Sequence, residues 1–336
     1  MADSCLSVRN LTACVNKNGK ALKILNNISF NIDKGEILGL AGESGGGKSM
    51  TAFCIMNLLP DAVKITGGEI IYNNRDLVSL NEKEMRSIRG NEISVIFQDV
   101  RQALNPLMKA GVQIGETLKL NAEKKQKVAS THQAEEFPAR IKQRTLDLLL
   151  SLGFNNPKRT YNAYPHQLSG GMCQRAVTAM AIISRPELLL ADELSSSLDE
   201  DSQKKCFSLL LEMNQSDKMS LLVISHDLYV IREYCSRYMI MYAGRILEEG
   251  PAGSLFSPVH PYTKALVKAL PDRDKRGKKL ETIGGKNPSV EDQLTGCPFA
   301  PRCAQAQNIC AEIFPPAQDI ENRRVYCHFP QSVNNS

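Results

Sequence analysis

The sequence feature that most constrains the fold is a glycine-rich stretch that begins at Gly42 and ends with Lys48-Ser49. It matches the pattern G-x-x-x-x-G-K-[ST] at every required position. A short apolar run, Glu36 to Ala41, precedes it and predicts a buried strand. The segment from Met50 to Leu59 has the length and composition of a helix. A strand, a glycine-rich loop and a helix are the context in which this pattern binds phosphate, so the sequence predicts a nucleotide-binding α/β fold.

Each part of this loop has a predicted task. The glycines allow backbone N–H groups to turn toward the phosphates, and the helix N-terminus adds its positive dipole. We expect Lys48 to reach the β and γ phosphates and the Ser49 hydroxyl to bind Mg²⁺. The alternative is a chance glycine-rich turn before a helix. The predicted nucleotide-contact residues of the loop are Gly42, Ser44, Gly45, Gly46, Gly47, Lys48, Ser49 and Met50.

Length and charge exclude several classes of protein. At 336 residues the chain is long enough for two domains, or for one large domain with an appendage. Its net charge of +5, from 41 basic and 36 acidic residues, is too mild to predict a nucleic-acid partner. The N-terminal residues do not follow the pattern of a secretory signal, and no apolar run approaches about 18 residues. We therefore expect neither secretion nor a membrane-spanning helix.

The segments around the loop predict the rest of a nucleotide-binding domain. The runs Leu6 to Val15 and Ala21 to Ile32, with an Asn18-Gly19 turn between them, predict antiparallel strands before the nucleotide core. From about Val112 to Ser184 the pattern is helical, with few strand formers. The sequence therefore predicts a helical insertion between two halves of a sheet.

Two later apolar strands end in polar residues. The first ends in Asp192 and Glu193, which fits a Mg²⁺ and water site at the carboxyl edge of a parallel sheet. Asp192 would hold the ion through its water shell, and Glu193 would polarise the water that attacks the γ-phosphate. The second strand, Leu221 to Ser225, ends in His226, which we expect near the γ-phosphate. The alternatives are a solvated acidic turn and a structural histidine.

The segment Leu168-Ser169-Gly170-Gly171-Met172, followed by Gln174-Arg175, decides the class. It resembles the signature motif of ATP-binding cassette (ABC) ATPases, and it lies within the helical insertion as it does in that family. A serine and two glycines that open a helix make a second phosphate-binding site in the chain. One nucleotide cannot easily use both sites of one subunit. The resemblance therefore implies two cassettes arranged head to tail, with each ATP held between the loop of one and the signature of the other.

The resemblance covers about residues 6 to 330 and implies roles for further residues. Gln98 is similar to the family's Q-loop glutamine, which touches Mg²⁺ and couples to the membrane partner. Asp199 matches the D-loop in Ser197-Leu198-Asp199, and His226 matches the switch histidine. The implied catalytic residues are Gln98, Glu193 and His226. The implied Mg²⁺ ligands are Ser49, Gln98 and Asp192. The implied contacts to the second nucleotide are Ser169, Gly170, Gly171 and Asp199.

Within that family the chain most resembles the D-type subunit of the oligopeptide, dipeptide and nickel import group. The stretches that carry this likeness are Leu104-Asn105-Pro106, His260-Pro261-Tyr262-Thr263 and Cys297-Pro298-Phe299-Ala300-Pro301-Arg302-Cys303. Four of the ten cysteines are similar to those that hold a [4Fe-4S] cluster in the group, namely Cys297, Cys303, Cys310 and Cys327. Their gaps of five, six and sixteen residues are wider than those of small zinc knuckles. Zinc, uncoordinated thiols and a disulfide remain alternatives.

The chain also departs from the family pattern. Val15 occupies about the place of an aromatic residue that stacks on adenine in many cassettes, so another residue would have to supply that contact. Gly46 stands where the import group often has serine. Leu194 and Val100 stand where proline is common, which changes the local loops without removing a chemical group.

The resemblance as a whole implies an α/β P-loop ABC ATPase cassette with an antiparallel β subdomain, a helical insertion and a small cysteine-containing C-terminal domain. The cassette would span 1–255, with its helical subdomain at about 112–185, and the oligopeptide-transporter-type domain would span 256–336. Near the start of the second range, the composition of the segment 271–296, with its basic stretch 273–279, predicts an exposed connector. Contact of this basic stretch with lipid headgroups is the alternative.

The implied function is hydrolysis of ATP, with Mg²⁺ as cofactor, to power a multisubunit importer of di- or oligopeptides. The implied partners are a second ABC ATPase subunit, two integral-membrane permease subunits and an extracytoplasmic binding protein, with no nucleic acid. The chain would work at the cytoplasmic face of the plasma membrane. The alternatives are import of nickel or a metal chelate, a soluble ABC ATPase acting on DNA or ribosomes, and a P-loop kinase.

Overall fold

The computed structural model describes residues 4–125, 132–194, 198–271, 282–292 and 294–331. The basic stretch 273–279 and Ser197 lie outside these residues. The strands are β1 (Ser4–Lys17), β2 (Lys20–Asp33), β3 (Ile37–Ala41), β4 (Val63–Tyr72), β5 (Arg75–Asp76), β6 (Ile93–Ile96), β7 (Leu188–Asp192), β8 (Ser220–Ile224), β9 (Arg237–Tyr242), β10 (Arg245–Pro251), β11 (Gln318–Ile320) and β12 (Arg323–Val325). The helices are α1 (Lys48–Met56), α2 (Glu82–Ile88), α3 (Val100–Ala103), α4 (Ala110–Lys125), α5 (His132–Ser151), α6 (Pro157–Asn162), α7 (Gly170–Ile182), α8 (Glu200–Asp217), α9 (Leu228–Tyr234), α10 (Pro261–Ala269) and α11 (Asn308–Glu312).

The chain folds into two compact units. The loop unit contains Ser4–Ile32, Ile37–Ser79 and the chain from Val223 onward. The insertion unit contains Asp33–Glu36 and Leu80–Leu222. Strand β8 therefore begins in the insertion unit and ends in the loop unit. The predicted domain boundary at residues 255 and 256 stays a prediction.

The first sheet of the loop unit has the strand order β2-β1-β4-β5. β1 and β4 are antiparallel, with Leu6 opposite Tyr72 and Val8 opposite Ile70. Asn18 and Gly19 connect β1 to β2 with φ angles of 52° and 76°, the left-handed geometry of a two-residue hairpin. The predicted strand pair and its turn are confirmed.

The second sheet of the loop unit carries the glycine-rich loop. Its strands lie in the order β11-β12-β10-β9-β3. β3 is buried along its whole length and runs parallel to β9, with Leu38 opposite Arg237. On the other side, β12 runs antiparallel to β10, with Val325 opposite Glu248. The C-terminal segment thus adds strands to the sheet that holds the loop.

The insertion unit contains a parallel strand pair and a group of helices. β6 and β7 are parallel, with Ile93 opposite Leu188 and Ile96 opposite Ala191. Every residue of β7 is buried, which explains its continuous apolar sequence. Helix α4 packs against α5, α6 and α7. These helices occupy the stretch that the sequence predicts as helical.

Candidate functional site

The glycine-rich loop connects β3 to α1 and depends on glycine where the backbone is left-handed or crowded. Gly42 has a φ of 147°, and a Cβ at this position would lie 2.0 Å from the carbonyl oxygen of Met241. Gly47 has a φ of 103° and directly precedes α1. A side chain at Gly42 would collide with a backbone atom, which cannot move cheaply. The local sequence therefore fixes the path of the loop.

Lys48 is buried and bends back over the loop. Its Nζ donates to the carbonyl oxygens of Gly42 at 2.8 Å and Glu43 at 3.0 Å. Carbonyl oxygens are weaker partners for an ammonium group than phosphate oxygens, so a bound triphosphate would compete for the lysine. Ser49 and Met50 follow in the first turn of α1, where the helix dipole favours an anion. The arrangement can bind phosphate.

The remaining loop positions form a tight turn with an open outer side. The Gly46 N–H donates to the Glu43 carbonyl oxygen at 3.2 Å, and the Gly46 carbonyl oxygen accepts from the N–H of Gly244 at 2.8 Å. Ser44 and Gly45 are exposed. A Cβ at Gly45 would meet no atom within 4 Å, although its φ of 80° still favours glycine. All eight predicted loop residues thus share one loop and helix start.

The loop unit also contains His226. The N–H of Ser225 donates to the carbonyl oxygen of Leu40 at 3.1 Å, so the end of β8 lies beside β3, which leads into the loop. His226 follows directly and is exposed. The structure therefore places this predicted catalytic residue at the edge of the sheet from which the loop begins.

The insertion unit brings together the glutamine and the glutamate that the sequence analysis singled out. Ile96 and Ala191 are paired in the parallel strands, and Gln98 and Glu193 each follow two residues later. Gln98 Nε2 donates to Glu193 Oε2 at 2.8 Å. Glu193 has a φ of 54°, in the left-handed region that residues with a side chain adopt infrequently. Its neighbour Asp192 is 5% exposed at the end of β7.

Two further predicted residues cap helices of the insertion unit. The Ser169 side chain accepts from the Met172 N–H at 3.3 Å at the start of α7. Asp199 caps α8 and accepts hydrogen bonds from both the N–H and the hydroxyl of Ser202 at 2.9 Å. These bonds lower the pKa of the Asp199 carboxyl, because they favour its charged form. Gly170 and Gly171 form the first turn of α7, and Ser169 is exposed.

Comparison with known proteins identifies the family. Residues 25–196 match the family model described as ABC transporter, and residues 247–310 match that of the oligopeptide/dipeptide transporter C-terminal region. The dipeptide transport ATP-binding protein DppD of Haemophilus influenzae is 40% identical over 326 residues, covering 97% of this chain and 95% of that protein. The chain belongs to the ABC transporter family. The oligopeptide transport ATP-binding protein OppD of Escherichia coli is 36% identical, with 98% and 94% covered.

Solved ABC cassettes have the same fold as this ABC protein. The ATP-binding cassette MJ0796 bound to ADP and Pi gives a TM-score of 0.64 at 28% identity, covering 74% of this chain and 98% of that chain. CbiO1 of Clostridium perfringens gives a TM-score of 0.59 at 22% identity, which supports the fold alone. The chain is thus an ABC-type ATPase of a transporter, with ATP as substrate and Mg²⁺ as the expected cofactor. Along the described residues, no helix is long and apolar enough to cross a membrane.

The four C-terminal cysteines of this ABC ATPase line one pocket, together with His260 and Phe299. All four are free thiols. Burial raises the pKa of Cys297 to about 12 and that of Cys327 to about 11, so both are neutral at pH 7. In the described part of the chain, no group of three or more His, Cys, Asp or Glu side chains forms a metal site. In this arrangement the four thiols do not form a metal site, and a metal would first have to displace the thiol protons.

The other six cysteines are also free thiols, and all of them are buried, namely Cys5, Cys14, Cys54, Cys173, Cys206 and Cys235.

Sequence reasoning missed the side chains that hold the loop from outside. The hydroxyl of Tyr262 accepts from the Glu43 N–H at 2.8 Å, and the Arg302 guanidinium binds the Glu43 carboxylate. Both residues lie in stretches that the sequence analysis quoted only for their family likeness. The acidic residue inside the loop, Glu43, was the one available signal, because a carboxylate there can pair with a cation from elsewhere in the chain.

Proposed function

We propose that this ABC ATPase powers the import of di- or oligopeptides. The proposal is supported by the relatives named for dipeptide and oligopeptide transport, which align over nearly their full length. In the proposed complex, a second ATPase subunit pairs with this chain head to tail. Each ATP then lies between the phosphate loop of one subunit and Ser169, Gly170 and Gly171 of the other.

The observation that carries the catalytic assignment is the hydrogen bond from Gln98 to Glu193. This bond holds a carboxylate at the edge of a parallel sheet, where it can orient and polarise the attacking water. His226 would contact the γ-phosphate, and Asp199 would contact the second subunit's nucleotide. The oxygen atoms of Ser49, Gln98 and Asp192 suit Mg²⁺, which when bound neutralises charge on the β and γ phosphates.

Replacing Glu193 tests this assignment. Glu193→Gln should keep ATP binding and lower hydrolysis by roughly 10²–10⁴-fold, because an amide is a poor base. The variant should accumulate as an ATP-bound pair, measured by size-exclusion chromatography with its partner subunit. Glu187→Gln, at the exposed entry to β7, is the matched control and should hydrolyse ATP normally. A normal rate of ATP hydrolysis in Glu193→Gln would show that Glu193 does not activate the attacking water.

The proposed membrane partners are two permease subunits at the cytoplasmic face of the plasma membrane, served by an extracytoplasmic binding protein. In the insertion unit, Leu107 is 84% exposed and Val112 is 44% exposed, a short distance along the chain from Gln98. In the proposed complex, these two side chains contact a permease subunit. Leu107→Asp should lower co-purification of the permeases without changing ATP affinity, whereas Leu150→Asp, at a side chain that is 62% exposed on α5, should change neither.

Transport assays test the proposed peptide substrate and distinguish it from nickel, the nearest alternative. Vesicles containing the full complex should take up a labelled dipeptide in an ATP-dependent manner. Uptake of nickel without uptake of peptide would replace the proposed substrate.

We further propose that Cys297, Cys303, Cys310 and Cys327 hold a [4Fe-4S] cluster in a C-terminal domain of residues 256–336. The proposal is supported by the shared pocket and the soft donor set. Iron and acid-labile sulfide should be measured on anaerobically purified protein, where about four of each per chain are expected. Cys303→Ser should lose them, and Cys235→Ser, at a buried thiol elsewhere, should not. Zinc in place of iron, or no metal, would contradict the cluster.

A further inference from the structure

Arg302 links the C-terminal segment to the phosphate loop. Its side chain is 5% exposed and binds both carboxylate oxygens of Glu43, with Nη1 to Oε2 at 2.7 Å and Nη2 to Oε1 at 3.2 Å. Two parallel N–H···O bonds fix the position of a carboxylate more firmly than a single contact does. The pair joins residues 259 positions apart in the chain, within one compact unit.

The guanidinium is itself held by several acceptors. Nε donates to the Gly284 carbonyl oxygen at 2.8 Å and Nη2 to that of Ile283 at 3.2 Å. Nη1 donates to the Tyr242 hydroxyl at 3.0 Å and also contacts Asn287 Oδ1. These bonds occupy every nitrogen of the group. Contacts outside the loop therefore hold Arg302 in place, unlike a flexible surface ion pair, which contributes little.

Glu43 connects the contacts of Arg302 to the residues of the phosphate loop. The Glu43 carbonyl oxygen accepts from Lys48 Nζ at 3.0 Å and from the Gly46 N–H at 3.2 Å. The Glu43 N–H donates to the Tyr262 hydroxyl at 2.8 Å. Holding the Glu43 side chain in place therefore also restrains its two peptide groups. These peptide groups in turn contact the turn of the loop and the side chain of Lys48.

We propose that Arg302 is a positioning residue for ATP binding, which acts through Glu43 to hold the phosphate loop in its binding geometry. Through Arg302 the C-terminal segment then contributes to nucleotide affinity. The inference rests on the proposed assignment of Gly42 to Ser49 as the ATP-binding loop.

The test is a double-mutant cycle on the full chain, with the dissociation constant of Mg²⁺-ATP measured by calorimetry. Arg302→Ala and Glu43→Gln should each weaken binding about tenfold, within the range of coupling seen for residues in one network. The double variant should be no weaker than either single variant. Arg302→Lys should recover part of the affinity, because lysine keeps the charge and loses the fork. In ATPase assays the KM for ATP should rise while kcat changes little.

The matched control is Arg323→Ala. Arg323 also belongs to the C-terminal segment, its side chain is also 5% exposed, and it pairs with Glu321 at 3.2 Å instead of with the loop. Loss of a buried arginine there should leave ATP affinity unchanged. If Arg302→Ala does not fold, the cycle is run with Arg302→Lys.

Three results would contradict the proposals, and they are distinguishable. Unchanged affinity in a folded Arg302 variant would overturn the inference, as would simple additivity with Glu43→Gln. If Lys48→Ala bound ATP like the wild type, the loop assignment itself would fail, whatever the Arg302 variants did.

Discussion

The starts of helices α1 and α7, both predicted to bind phosphate, are built in different ways. At α1, Gly47 supplies no side-chain cap, and the loop is held from outside by Arg302 and Tyr262. At α7, the Ser169 side chain caps its own helix and is exposed. A Cβ at Gly170 would meet no atom within 4 Å, whereas one at Gly42 would lie 2.0 Å from a carbonyl oxygen.

This difference indicates a division of labour, by which we mean that one helix start binds the nucleotide within the chain and the other acts only with a second subunit. The α1 start is preorganised by contacts inside the chain, so in the proposed assignment it would bind a nucleotide before any partner arrives. The α7 start has an open surface and a hydroxyl that already serves its own helix. In the proposed head-to-tail pair, its contribution to an ATP site would depend on a second subunit that brings the nucleotide to it.

The largest expected effect comes from removing the preorganised cation. Lys48→Ala should lower ATP hydrolysis by at least about a hundredfold, because a fixed charge at the phosphates is lost. ATP affinity of the isolated chain, measured by calorimetry, should fall as well. Lys204→Ala, which removes an exposed lysine paired with Glu200, should change neither quantity. If Lys48→Ala bound ATP with wild-type affinity, the nucleotide would bind at a site other than the phosphate loop.

The second prediction separates binding from association. Ser169→Arg puts a large cation at a helix N-terminus, where the dipole opposes it and the open surface is filled. ATP affinity of the isolated chain should stay within about twofold of wild type, since preorganisation of the α1 start does not involve Ser169. ATP-driven association with the partner subunit, measured by light scattering, should be lost. If affinity fell as far as in Lys48→Ala, the proposed division of labour would be wrong.

The third prediction compares the two glycines by their effect on stability. Gly42→Ala should lower the free energy of unfolding by about 3 kcal/mol, because the new Cβ meets a backbone oxygen. Gly170→Ala should raise it by about 0.5 kcal/mol, since the position is helical and has room. Chemical denaturation measures both values. Equal effects would mean that the α1 start is no more constrained than the α7 start.

The sequence predicted the parts of the site that depend on local pattern. The loop follows from its glycines, and the flanking strands follow from short apolar runs. The contact between Gln98 and Glu193 follows once β6 and β7 are known to be parallel neighbours in register. Arg302 was not assigned a role, because its partner lies 259 residues away and no local rule specifies that pairing. Whether the cysteines form a metal site is likewise a matter of side-chain geometry, which spacing alone does not determine.

The smallest expected effect concerns how the helix caps of the insertion unit contribute to stability as the pH falls. Asp199 caps α8 with a carboxylate whose pKa is lowered by the bonds from Ser202, whereas Ser169 caps α7 with a hydroxyl that does not titrate in this range. A lowered folded-state pKa gives stability that is present above the unfolded value, about 3.9, and is lost as the pH falls through the folded value. The difference in unfolding free energy between wild type and Asp199→Asn should therefore shrink on acidification from pH 6. The difference between wild type and Ser169→Ala, about 1 kcal/mol, should stay constant. If both differences changed equally with pH, the acid dependence would arise elsewhere, because only one of these two helix starts carries a charge to lose.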